Sequence, residues 1–250
     1  MKDLFSTDSE KYARYRPGYP EELFQFIEGL LEERNRAWDC GTGNGQVAAA
    51  LAEFMQHVEG TDISRQQLAN AIKKPNITYS LQSAENTDFE NDQFDLVTVA
   101  QAIHWFNIPK FHNEVKRVLK PGGIIAVMGY GLFRSNMETN RIIDHFYREI
   151  IGPYWDEERK YLDEKYRTIP FPFEELPVPD FQLNESWSFD RLIGYLRTWS
   201  AVKHYIAEQD RDSVALIEKE LYGSFGRKNK VKFHIFLRVG KLPREEAPKK

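Results

Sequence analysis

Short apolar runs alternate with amphipathic stretches through the first half of the chain. Leu23, Phe24, Ile27, Leu30 and Leu31 recur at helical spacing after Glu21. Ala37-Trp38 is a short strand-like run, and Gln46–Glu53 is rich in strong helix formers. His57–Asp62 reads as a second strand, and Ser64 as the N-cap of a helix over Arg65–Ile72. Ile77–Leu81 gives a third strand. Phe94–Ala100 is nearly all apolar, as in a strand buried on both faces of a parallel sheet. A helix over Pro109–Leu119 has Pro in its first turn and stops at Lys120-Pro121-Gly122-Gly123. A fifth strand, Ile124–Tyr130, follows. This alternation predicts an α/β fold, a parallel sheet joined by right-handed crossovers.

The second half is less regular. Ile142, Ile143, Phe146 and Ile150 keep helical spacing, and Gly152–Pro179 is rich in aromatics, charge and proline, including Tyr154-Trp155, Tyr161 and Tyr166. It reads as a cap inserted between strands. Phe181–Ser188 alternates as a sixth strand, helices are expected over Phe189–Ile206 and Asp212–Tyr222, and Lys232–Val239 alternates as a strand of antiparallel type. The expected organisation is a lid at 1–20, a core at 21–130, a cap at 131–180, the rest of the fold at 181–242 and a charged tail at 243–250. No internal repeat interrupts this plan.

Composition narrows the function. Apolar residues make up 41% and charged residues 29%, ordinary for a globular protein, and the net charge is −4. That balance does not favour nucleic acid as a partner. The single cysteine, Cys40, excludes an internal disulfide and a cysteine zinc cluster. No apolar run reaches the ~18 residues of a membrane helix, and the first residues lack a signal-peptide core, so the cytoplasm is the expected location.

The chemistry centres on Asp39-Cys40-Gly41-Thr42-Gly43-Asn44-Gly45, between a strand and a helix. Glycines there let a ligand lie against bare backbone, and the helix start directs N–H groups at it. Gly43–Ala48 fits the G-x-G-x-x-A pattern of dinucleotide sites, which leaves a nicotinamide-dependent oxidoreductase open. Asp62, about twenty residues on at a strand end, suits the two hydroxyls of a ribose. His104 lies just past the fourth strand, where α/β folds bind ligands, and reads equally as a packed histidine or a functional one. The segment Tyr12–Pro20 reads as either a packed loop or a lid carrying Tyr and Arg.

Asp39-x-Gly41-x-Gly43-x-Gly45, Thr61-Asp62, Ser83-Ala84-Glu85, Phe94-Asp95-Leu96-Val97 and Arg117–Gly123 occur in order. Together they resemble the motif series of the class I S-adenosylmethionine (SAM) methyltransferases over about residues 10 to 130. The resemblance implies a Rossmann-like, doubly wound, mostly parallel seven-stranded sheet with an antiparallel last strand. It also implies SAM as cofactor, held by Asp39, Gly41, Gly43, Gly45, Asp62, Ile63, Ala84, Glu85, Ala100 and Gln101. Gln101 and His104 would flank the transferred methyl. A SAM-binding module without catalysis would keep the same cradle.

Three further stretches, Tyr15–Pro20, Ala100–Phe106 and Tyr195–Val202, resemble the small-molecule methyltransferases related to trans-aconitate methyltransferase. That implies a small acceptor, expected to be a carboxylic acid methylated at oxygen. Its pocket would draw on Arg14, Arg16, Trp105, Trp199, Lys203 and His204. A carboxylate is already ionised at neutral pH, whereas a hydroxyl or amine would need a base, for which His104 is the candidate. No histidine, cysteine and carboxylate grouping has metal-ligand spacing.

Overall fold

The computed structural model describes residues 14–244. The segment 1–13, which holds most of the expected lid, and the tail from 245 lie outside the described residues. Helix α1 (Glu21–Gly29) starts after an extended Pro20, carries Glu21 and Glu22 in its first turn, and buries Leu23 and Ile27. Acidic side chains there complement the positive end of the helix dipole. Strands β1 (Arg36–Cys40), β2 (His57–Asp62), β3 (Ile77–Leu81) and β4 (Phe94–Ala100) are joined through α2 (Gln46–Leu51) and α3 (Arg65–Ala69). Ser64 caps α3 by accepting from Gln67 N at 3.2 Å. That helix ends at Ala69 rather than Ile72.

Asn107 caps α4 (Ile108–Val118), its side chain accepting from the backbone of Lys110. The chain is extended from Leu119 onward, so Lys120–Gly123 forms the start of β5 (Leu119–Tyr130) rather than a separate stop. Gly122, with φ +84°, lies where the β4–β5 register shifts, between the pairs Phe94–Leu119 and Leu96–Ile124. Helix α5 (Met137–His145) then runs into a wide π turn, Phe146–Ile150, and α6 (Arg159–Asp163) completes the cap.

Strand β6 (Glu174–Leu176) falls within the expected cap but joins the sheet. It is followed by β7 (Phe181–Ser188), α7 (Phe189–Arg197), α8 (Ser200–Gln209), α9 (Glu218–Phe225) and β8 (Lys228–Lys241). The single helix expected over Phe189–Ile206 is two helices. Thr198 donates its hydroxyl to Tyr195 O at 2.6 Å, which closes the first, and Trp199 caps the second.

The sheet order is β3-β2-β1-β4-β5-β8, with β6 and β7 sharing the far edge of β8. Strands β1 to β5 are parallel, and β8 runs antiparallel to β5, β6 and β7. The sheet therefore has eight strands rather than seven, because β8 is long enough to pair two short strands end to end. It is mostly parallel with one antiparallel strand, as expected. Leu96 packs into the cluster on one face, with Leu23, Ile27, Val47 and Leu51. Val97 and Val99 join the other cluster, with Phe111, Val115 and Ile125. This is why β4 reads as an unbroken apolar run. Among the described residues, no helix is long and apolar enough to cross a membrane.

Candidate active site

Strand order reverses at β1, with β2 on one side and β4 on the other, and α/β sheets open a crevice at that point. The glycine loop sits there. Gly41, Gly43 and Gly45 all have positive φ, at +67°, +56° and +77°. Asp39 is 1% exposed. One of its oxygens accepts from Thr42 Oγ1 at 2.5 Å and Ala48 N at 3.1 Å; the other accepts from Thr98 Oγ1 at 2.8 Å. Burial pushes its pKa up to about 6. Asp39 therefore shapes the loop from beneath.

Asp62 closes the loop from the other side. It accepts from Gly43 N and from Ser64 N, each at 2.9 Å, one on each oxygen. The carboxylate thereby ties the glycine loop to the start of α3, at the end of β2. Ile63 follows, half-buried. Ala84 is buried, and Glu85 accepts from Asn107 N at 2.9 Å and from the Ser83 hydroxyl. Ala100 ends β4, and Gln101 follows with φ +54°, a conformation that non-glycine residues adopt rarely. Gln101 N donates to Met128 O at 3.0 Å and its Nε2 to Tyr130 O at 2.9 Å, which hold it there. Strain of that kind collects at functional sites.

Beyond Gln101 a narrow cleft of about 40 Å3 is lined by Arg16, Gln101, His104, Trp105, Trp155, Asp156, Arg159, Leu162 and Ser200. His104 Nδ1 lies 2.9 Å from the Tyr166 hydroxyl, and the two rings stack. Burial, with Arg159 and Arg16 nearby, pushes the His104 pKa down to about 3. Arg159 spans the aromatic cap. Its guanidinium lies 4.5 Å from the Trp155 ring centre and 5.3 Å from that of Tyr147, and Nε donates to the Tyr147 hydroxyl at 2.8 Å. Arg16 donates from Nη2 to Thr198 O at 3.2 Å and lies over Tyr195.

The low His104 pKa has a consequence for stability. The native state binds fewer protons there than the unfolded chain, so this contribution is intact above about pH 6.5 and is lost as pH falls toward 3. Between pH 7 and about 4.5 the loss should be about 2–3 kcal/mol. Denaturant titrations at both pH values should show a smaller difference in His104→Phe. An unchanged pH difference would mean that His104 does not carry it.

The structure thus gathers Arg16, Gln101, His104 and Trp105 in one cleft, and it separates the other expected acceptor residues. Arg14 lies over the Tyr15 ring and does not line the cleft. Lys203 lines a different cavity, beside Tyr15, Gly194 and Arg197. Trp199 is 3% exposed and stacks on Phe146, because the cap of α8 is also a core position. His204 contacts Tyr154 O at 3.0 Å and lies 3.9 Å from Asp156, at the margin. Trp155 and Tyr166 belonged to a visibly aromatic stretch. Arg159 did not stand out, since it sits in the charged run Asp156–Lys160, which reads as a solvated face. Among the described residues, no group of histidines, cysteines and carboxylates could hold a metal.

A methyltransferase domain family matches residues 38–127, from β1 through most of β5. A Dictyostelium discoideum protein assigned by name as a methyltransferase is 36% identical over 227 residues, covering 89% of this chain and 86% of that one. The chain belongs to the class I SAM-dependent methyltransferases. A solved structure from Anaeromyxobacter dehalogenans, assigned as a type II methyltransferase, superposes with a TM-score of 0.85. It is 35% identical and covers 92% of this chain and 100% of its own. A Haemonchus contortus phosphoethanolamine N-methyltransferase solved with SAM shares the fold alone, at a TM-score of 0.50 and 19% identity, over 96% of this chain and 57% of that one. These relatives do not favour the nicotinamide reading of the glycine turn. The methyltransferase's cofactor is SAM, and the positive-φ glycines, at two of which a Cβ would strike a neighbour, fit a ligand lying against bare backbone.

Proposed function

We propose that this methyltransferase transfers the methyl group of SAM to an oxygen of a small carboxylic acid. The observation that carries the reading is a neutral His104 beside two arginines, Arg16 and Arg159, in the cleft past Gln101. A histidine titrating near 3 is a weak base, so it is poorly suited to deprotonate a hydroxyl or an ammonium group. A carboxylate needs no deprotonation. The cleft is lined by two guanidinium groups and one carboxylate, Asp156, with Asp163 3.6 Å from Arg159 Nε outside the lining, and that lining favours an anionic acceptor over a cationic amine. Among the described residues, the Nη groups of Arg159 donate to no acceptor, so they suit a substrate oxygen.

Gly41, Gly43 and Gly45 would cradle the methionine end of SAM. Asp62 and Ile63 would hold the ribose, and Ala84 and Glu85 would border the adenine. Ala100 and Gln101 would lie against the methyl-bearing end. When bound, the cofactor supplies a methyl carbon made electrophilic by its sulfonium. The protein's share is then to orient the carboxylate between Arg16 and Arg159 and to exclude water with Trp105 and Trp155.

The test is a screen of acceptors by release of S-adenosylhomocysteine. Small di- and tricarboxylates of the trans-aconitate kind should outperform neutral alcohols and amines. Efficient methylation of an amine, with carboxylates inert, would end the carboxylate reading and leave the family assignment standing.

A further inference from the structure

We infer that a second cavity, sharing Leu162 with the cleft, is an anion site for a small molecule bearing a phosphate or carboxylate group. Its volume is about 650 Å3, and it opens between the end of β5, the π turn, the cap and β8. Arg134, Arg148, Lys165 and Lys232 line it, with Asp144 and Asp163 as the carboxylates. Both carboxylates are already matched. Asp144 takes a two-pronged pair from Arg134 at 2.8 and 2.9 Å. Asp163 accepts from the Tyr147 hydroxyl at 2.8 Å and lies 3.6 Å from Arg159 Nε. Among the described residues, Arg148, Lys165 and Lys232 have no carboxylate within 4.0 Å. Three unmatched cations around one cavity are unexpected in a chain of net charge −4. Such a cluster attracts a multivalent anion, which the guanidinium and ammonium donors can then hydrogen-bond.

The backbone supports a built site. Lys165 and Tyr166 adopt φ +56° and +59° in succession. Such residues persist only where the surroundings fix them. Here the turn sets Lys165 at the cavity and the Tyr166 hydroxyl on His104. Arg148 comes from the π turn, a form that recurs at functional sites. One strained turn therefore serves both the cleft and the basic cavity.

Inorganic phosphate and pyrophosphate are the probes, titrated by calorimetry into the wild type and into Arg148→Ala/Lys232→Ala. Both side chains are exposed, so the fold should tolerate the change, and S-adenosylhomocysteine affinity should stay at the wild-type value. At least one probe should bind the wild type and bind the double variant about ten-fold more weakly, which is about 1.4 kcal/mol. Absence of binding to the wild type, or equal binding to both proteins, overturns the site. Kinetics then separate the sources of the anion. A raised KM in the variant for polyanionic acceptors alone assigns the group to the acceptor; an unchanged KM, with turnover sensitive to added phosphate only in the wild type, assigns it to a separate ligand. The binding measurement needs no methyl acceptor, so its failure is distinct from failure of the carboxylate reading.

Discussion

Gly45→Ala should abolish SAM binding and cost the fold several kcal/mol. A Cβ at that position would lie 2.1 Å from the Tyr79 hydroxyl oxygen, 3.0 Å from its ring and 3.3 Å from the backbone nitrogen of Ile72. The tyrosine cannot swing aside freely, because its hydroxyl donates to Ile72 O at 2.7 Å and its ring lies against Gly60. Overpacking costs about 1–3 kcal/mol. The left-handed backbone adds about 1–2 kcal/mol for a residue with a side chain. Relief must come from movement of the glycine loop, which the proposed site places against the cofactor. Chemical denaturation and calorimetry with S-adenosylhomocysteine read the two effects. Gly45→Ala/Tyr79→Ala should remove the clash and keep the backbone strain, recovering part of the affinity. Gly43→Ala meets nothing within 4 Å, so it should lose affinity with a smaller loss of stability. Wild-type affinity in Gly45→Ala would show that the cofactor lies elsewhere.

Arg159→Ala should lower kcat/KM for a carboxylate acceptor by about 10- to 150-fold, the equivalent of about 1.5–3 kcal/mol for a hydrogen bond to a charged group. The affinity for S-adenosylhomocysteine should not change, since Arg159 lines the cleft past Gln101 and not the glycine loop. Arg159→Lys keeps the charge and loses the flat guanidinium that stacks on Trp155, so an intermediate loss is expected. A second readout separates an electrostatic role from packing. Arg159 helps hold the His104 pKa down, so His104 should titrate at a higher pH in Arg159→Ala and stay near its wild-type value in Arg159→Lys. Followed by NMR, an unmoved His104 titration in Arg159→Ala would remove Arg159 from the cleft's electrostatics. Unchanged acceptor kinetics would remove it from the clamp.

The sequence by itself determined the family, the mostly parallel fold and SAM as the cofactor of this protein. Its signals are local and forced by backbone chemistry. Glycines at 41, 43 and 45 are required because each sits at positive φ, two of them where a Cβ would strike a neighbour. Asp62 follows from its place at the end of a strand. The unbroken apolar run of β4 follows from burial on both faces. The acceptor half was decided by tertiary structure. Arg159 reaches the cleft from a charged run, and its role depends on stacking against Trp155 and Tyr147. Trp199, itself an expected pocket residue, is drawn into the core because it stands at the N-cap position of a helix whose start is buried. Lys203 reaches a different cavity from one turn further along. Periodicity shows which residues share a face of one element, but which cations converge depends on how separate elements pack. That packing also placed Lys165 and Tyr166, two residues without a turn signature, on consecutive left-handed positions between the two cavities.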